Sequence, residues 1–125
     1  MSYFDIKNKL QECFDSKDSS LIFKLLDELI SNPEPVEIKE FSEVLLDLIF
    51  SLSDFYEKLD KNRSGAIFEW VKQRWSEDDA AYLDILLSIL ANLNTSGVDT
   101  FINQRIAETK SYEARNLLID FASET

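Results

Sequence analysis

The chain is 125 residues long and carries 24 Asp+Glu against 13 Lys+Arg, with no His, one Cys, two Gly and two Pro. Its formal charge of −11 disfavours nucleic acid or an anionic membrane as a direct partner, because both would repel it. Without histidine there is no His-based nucleophilic triad and no imidazole metal site, and one cysteine makes neither an internal disulfide nor a thiolate zinc cluster.

Gly65 and Gly97 stand alone, so no glycine-rich phosphate loop is present. What remains is carboxylate chemistry or none, and no cofactor is expected. Hydrophobic content of 45% and aromatic content of 12% predict one folded domain over residues 1–125. The start of the chain lacks a basic segment followed by an apolar one, which argues against a secretory signal. The longest uncharged stretch, residues 85–98, is broken by Ser88, Asn92, Asn94, Thr95 and Ser96 and is too polar to span a bilayer. With Cys13 unpaired, these features predict a cytoplasmic protein.

Helical spacing predicts an all-α fold of six to seven helices. Residues 3–14 place Ile6, Leu10, Cys13 and Phe14 on one side. Residues 15–18 read as a turn. Asp18 or Ser19 then caps a second helix to about Ile30, with Ile22, Leu25, Leu26 and Leu29 inward. Residues 31–35, with Pro33 and Pro35, end it. From Pro35 to Asn62 no breaker intervenes, and Ile38, Phe41, Leu45, Leu48, Ile49, Leu52, Phe55, Tyr56 and Leu59 keep a helical period. This predicts one long helix, or two with a soft joint near residues 51–53.

The stretch Asn62, Arg63, Ser64, Gly65 reads as the next break, with Ser64 capping residues 66–75. Ser76 with Asp79 resembles a capping box, and Glu77, Asp78 and Asp79 fill the first turn of a helix over residues 77–93. That helix is apolar nearly all round, save a stripe of Asp84, Ser88 and Asn92, and is expected to be central. Residues 98–109 and 111–122 complete the set, with Ser111 as a cap. Phe23, Phe68 and Phe101 open similar helical units at unequal intervals. Antiparallel hairpins stacked in a HEAT-like array, or an irregular bundle, both fit.

Acidic charge is concentrated. Between Lys24 and Lys58 lie Asp27, Glu28, Glu34, Glu37, Glu40, Glu43, Asp47, Asp54 and Glu57, opposed only by Lys39. At 100° per residue, Glu40, Glu43, Asp47 and Asp54 form one stripe opposite the core face, with Glu37 at its edge. The stripe reads either as a solvated face or as a surface for a basic partner. Leu46 and Phe50 lie beside it, and Phe50 is a second buried contact or an apolar anchor in an acidic rim. Trp70, Trp75 and Tyr82 read as core. Glu77, Asp78 and Asp79 make a second acidic cluster between Arg74 and Arg105. Asp84 either pairs with Arg105 or Arg115 or meets a partner. Basic side chains crowd into residues 58–74 instead. The contiguous carboxylates point around a helix rather than converging, so no catalytic pair is indicated and no enzyme is expected.

The acidic run Glu34, Glu37, Glu40, Glu43, the turn Glu77, Asp78, Asp79 and the absence of His give a chain that resembles the small all-helical immunity proteins of bacterial toxin–immunity systems, including those of contact-dependent growth inhibition. The resemblance lies in size, charge and helical hairpins, and carries over no functional residue. It implies tight binding of one cognate protein toxin, commonly a basic nuclease, through an acidic surface. A cytoplasmic helical adaptor and an acidic nucleic-acid mimic are the rival readings. Oligomeric state is left open.

Overall fold

In a computed structural model of the chain, residues 3–16, 19–31, 37–93 and 95–124 are described, and the apolar periodicity among them resolves into seven helices and no strand. They are α1 (Tyr3–Ser16), α2 (Ser20–Ile30), α3 (Ile38–Asp54), α4 (Lys61–Gln73), α5 (Ala80–Leu90), α6 (Val98–Glu108) and α7 (Tyr112–Ser123). Asp18, residues 32–36 with Pro33, Glu34 and Pro35, Asn94 and the Phe14 side chain lie outside the described residues.

Chain neighbours pack as hairpins, α1 with α2, α2 with α3 and α6 with α7. Alternate helices also stack, α1 on α3, α3 on α5, α5 on α7 and α2 on α4. Helices α3 and α5 run parallel. At their N-terminal ends Lys39 Nζ lies 4.0 Å from Asp79 Oδ2. At their C-terminal ends Leu52 and Ser53 line one groove with Ala91 and Asn92. Contacts between alternate helices thus accompany those between chain neighbours, an arrangement open to stacked hairpins and to an irregular bundle alike.

Helix α3 sits at the centre of the stack. Val44, Leu45, Leu48, Ile49 and Leu52 are buried, and so are Ser42 and Ser51. The two hydroxyls donate back to the Ile38 and Asp47 carbonyls of their own helix at 2.8 and 2.7 Å, so small side chains enter the core without orphaned polar groups. Helix α5 answers with Tyr82, Leu83, Leu86, Leu87, Ile89 and Leu90. On its outer face Ser88 Oγ donates to the Asp84 carbonyl and Asn92 Nδ2 to the Ser88 carbonyl, a polar ladder along the expected stripe.

Three boundaries differ from expectation. The long helix stops at Asp54, not near Asn62. Phe55 is its C-cap, and Tyr56 follows in the left-handed region at φ 58°. The Glu57 N–H reaches the Leu52 carbonyl at 3.0 Å and the Tyr56 N–H the Ser53 carbonyl at 3.1 Å, the paired bonds of a Schellman turn. That turn throws Tyr56 out to 97% exposure, off the core face assigned to it. The expected break at Asn62 to Gly65 is the first turns of α4. Asp60 caps that helix by accepting from the Arg63 N–H, and Ser64 is buried within it. Helix α5 begins at Ala80 rather than Glu77. Asp79 is itself the cap, accepting from the Ala81 and Tyr82 N–H groups, while Ser76 Oγ accepts from the Asp78 N–H. Ser111 caps α7 as expected, through the Ala114 N–H.

The two glycines should respond oppositely to alanine. A Cβ at Gly65, inside α4, meets nothing within 4 Å, whereas Gly97 holds φ 99° at the start of α6. Gly65→Ala should stabilise by about 0.5–1 kcal/mol and Gly97→Ala should destabilise by about 1–2 kcal/mol, read as opposite shifts of the urea midpoint.

Candidate functional site

Helix α3 is covered by α1, α2 and α5, and one arc of its surface is left to solvent. Glu43, Asp47, Phe50 and Asp54 are exposed there, within roughly 60° of one another around the axis. Glu40, half-buried, borders the arc, and Glu37 stands exposed just before the first turn. The carboxylates of Glu43, Asp47 and Asp54 fall at steps of roughly 6 and 10 Å along the axis, a patch roughly 16 Å long. Among the described residues the ion pairs seen do not involve Glu37, Glu40, Glu43 or Asp54.

This charge works against the helix that bears it. Glu43 and Asp47 are like charges at i,i+4, which costs about 0.2–0.5 kcal/mol. Asp54 sits in the last turn, where the macrodipole favours cations, and α3 has no basic residue there. Phe50 is 50% exposed in the middle of the patch. Beside it a groove of about 650 Å³ opens between α1 and α3, floored by Ile6, Leu10 and Val44, with Asp47 and Asp54 among its walls. Leu46, by contrast, packs half-buried against the core.

The second acidic cluster is divided among separate tasks. Glu77 turns inward and its side chain is 13% exposed. It takes a bidentate pair from Arg105, Nε to Oε2 at 2.7 Å and Nη2 to Oε1 at 2.9 Å, and a bond from Trp75 Nε1 at 2.7 Å. The Arg105 guanidinium holds the Glu77 carboxyl down at about 2, against partial burial, with Trp75 and Thr109 helping. Trp75 and Phe68 both meet Phe101 edge to face, so this knot fastens α6 to the α4–α5 link. Asp79 is occupied as a cap, Asp78 is exposed, and Asp84 lies on the outer face of α5. The expected pair of Asp84 with Arg105 or Arg115 does not form. Arg105 is taken by Glu77 and Glu108, and Arg115 Nη2 donates to the Thr109 carbonyl.

The basic crowding at residues 58–74 is largely spent inside the fold. Arg63 grips Asp27 on α2 and Asp60, and lies over the Phe23 ring. Lys72 pairs with Glu69 and covers Phe68, and Arg74 covers Trp70. Tyr82 is core, its hydroxyl donating to the Arg74 carbonyl at 2.8 Å. Among the described residues no group of three His, Cys, Asp or Glu could hold a metal, and no helix is long and apolar enough to cross a membrane. Sequence reasoning missed Tyr56, because nothing at residues 55–57 is a glycine or proline. Comparison with protein-family models, curated proteins and solved structures finds no match.

The Glu77 knot predicts a pH dependence. A carboxyl held at about 2 in the fold and near 4.5 when unfolded contributes stability that is full above about 4.5 and is lost as pH falls toward 2. That contribution is about 3 kcal/mol near neutral pH. Glu77→Gln should lose most of it at pH 7, and its urea midpoint should fall less between pH 4.5 and 2 than the parent's, the remaining fall coming from carboxylates such as Asp60 that Arg63 holds.

Proposed function

We propose that the chain is an immunity-type inhibitor, which binds one basic protein toxin through the exposed face of α3 and neutralises it in the cytoplasm. The observation that supports this reading most is the α3 patch itself. Three exposed carboxylates and a half-exposed Phe50 share one arc, on a helix whose own stability they lower. Charge of one sign raises association rates with an oppositely charged partner by about 10–10³-fold and disfavours wrong ones. A nuclease presents cations to phosphate, and a carboxylate array can occupy them. The patch is short and confined to one helix, which suits a single cognate surface better than the extended phosphate mimicry of a general decoy.

Co-expression provides the test. The C-terminal domain encoded by the neighbouring upstream reading frame should arrest growth alone and spare cells that also make this protein. The triple variant Glu43→Gln, Asp47→Asn, Asp54→Asn should fail to rescue, with affinity for the partner down at least roughly tenfold at low salt and a flatter salt dependence. Asp54→Asn alone should stabilise the fold by about 0.3–1 kcal/mol, since it removes an anion from the last turn of α3. Rescue by the triple variant at full strength excludes the α3 face. A domain that is not toxic, or not relieved, favours the adaptor reading, with pull-down as the next step.

A further inference from the structure

We propose that α6 and α7 open from the rest of the fold as one unit, a hairpin hinged at Gly97 and clasped shut by Glu77 and Arg105. The inference is independent of the α3-face reading and starts from where burial lies. Val98 and Ile102 of α6 and Ala114 and Leu118 of α7 are buried, two residues from each helix, whereas α3 buries seven and α5 six. The only substantial helix contact of α6 is with α7, and α7 alone of the two packs broadly on α5. A hollow of about 230 Å³, lined by Asp99, Ile102 and Asn103 of α6 and by Phe121 and Ala122 of α7, leaves even their shared side incompletely filled. Helices of 11 and 12 residues are marginal on their own, so once detached the pair loses its helices together.

What ties α6 down is one polar clasp and one ring. Arg105 gives Glu77 two parallel bonds, at 2.7 and 2.9 Å, and both side chains are largely shielded from water. Phe101 meets Phe68 and Trp75 edge to face. All of these contacts reach α4 and the α4–α5 link, so they are made or lost together when α6 moves. The hinge lies where the chain enters α6. Gly97 holds φ 99° there, and it and Ser96 are exposed, so a change of backbone angle meets little resistance. Opening bares the flank of α5 that α7 covers. It leaves α1, α2 and α3, whose mutual packing does not involve the hairpin, in place.

Native-state amide hydrogen exchange on the ¹⁵N-labelled full chain at neutral pH provides the test. The slowest amides of α6 and α7 should share one protection level, at least roughly tenfold below that of the slowest amides in α2 and α3. Ile22→Val lies in the core of α2, away from the hairpin. It should speed exchange in α2 and α3 about two- to tenfold and leave α6 and α7 at the parent rate, because Ile22 stays packed when the hairpin opens. Glu77→Gln should speed both sets by the same factor, since neither the opened nor the unfolded chain keeps the clasp. One protection level throughout, with Ile22→Val speeding α6 and α7 as much as α2 and α3, overturns the proposal. So does a Glu77→Gln variant whose α6 and α7 amides exchange at the parent rate.

Discussion

Two parallel helices that share a seam must keep it dry along its whole length, and α3 and α5 do so with leucine. Leu45, Leu48 and Leu52 of α3, and Leu83, Leu86 and Leu90 of α5, are essentially removed from solvent. The seam commits most of the circumference of α3, since α1 and α2 claim the rest of its apolar side. The carboxylates of α3 therefore have one place to go. Their alignment follows from the core before any question of partner arises. The coincidence of a half-exposed Phe50 with that arc does not follow from it, and gives the patch its character.

The acidic balance of the chain is not a uniform coat. Glu77 is an internal anchor, and Asp27 and Asp60 hold Arg63 across the α2–α4 contact. Asp79 terminates a helix. Most of the cations of residues 58–74 are likewise tied to rings and carbonyls. Those internal pairings leave the face of α3 more one-sided than composition alone conveys.

The helices were legible because burial has a 3.6-residue period that Leu45, Leu48 and Leu52 display openly. The stripe of Glu43, Asp47 and Asp54 was legible for the same reason. The Asp54 boundary was not. A Schellman turn is written in φ angles, and when tyrosine occupies the glycine position the residues show no breaker. The role of Glu77 was hidden differently. Its partner lies 28 residues away and no spacing rule links a carboxylate to a guanidinium at that range. Likewise the pair of Arg63 with Asp27 spans 36 residues, and without it Asn62 to Gly65 looks like a loop rather than a helix start. The cap at Asp79 competed on paper with Ser76, and the inward turn of Glu77 between them decides it.

Every substantial helix–helix contact joins elements that are adjacent or next but one along the chain. Little loop entropy separates one contact from the next, so the native pairings form without a long search. Folding can begin at any hairpin and spread to its neighbours. A chain built this way reaches its native shape quickly after synthesis, and the order in which its hairpins form matters less than it would in a fold held by distant pairings.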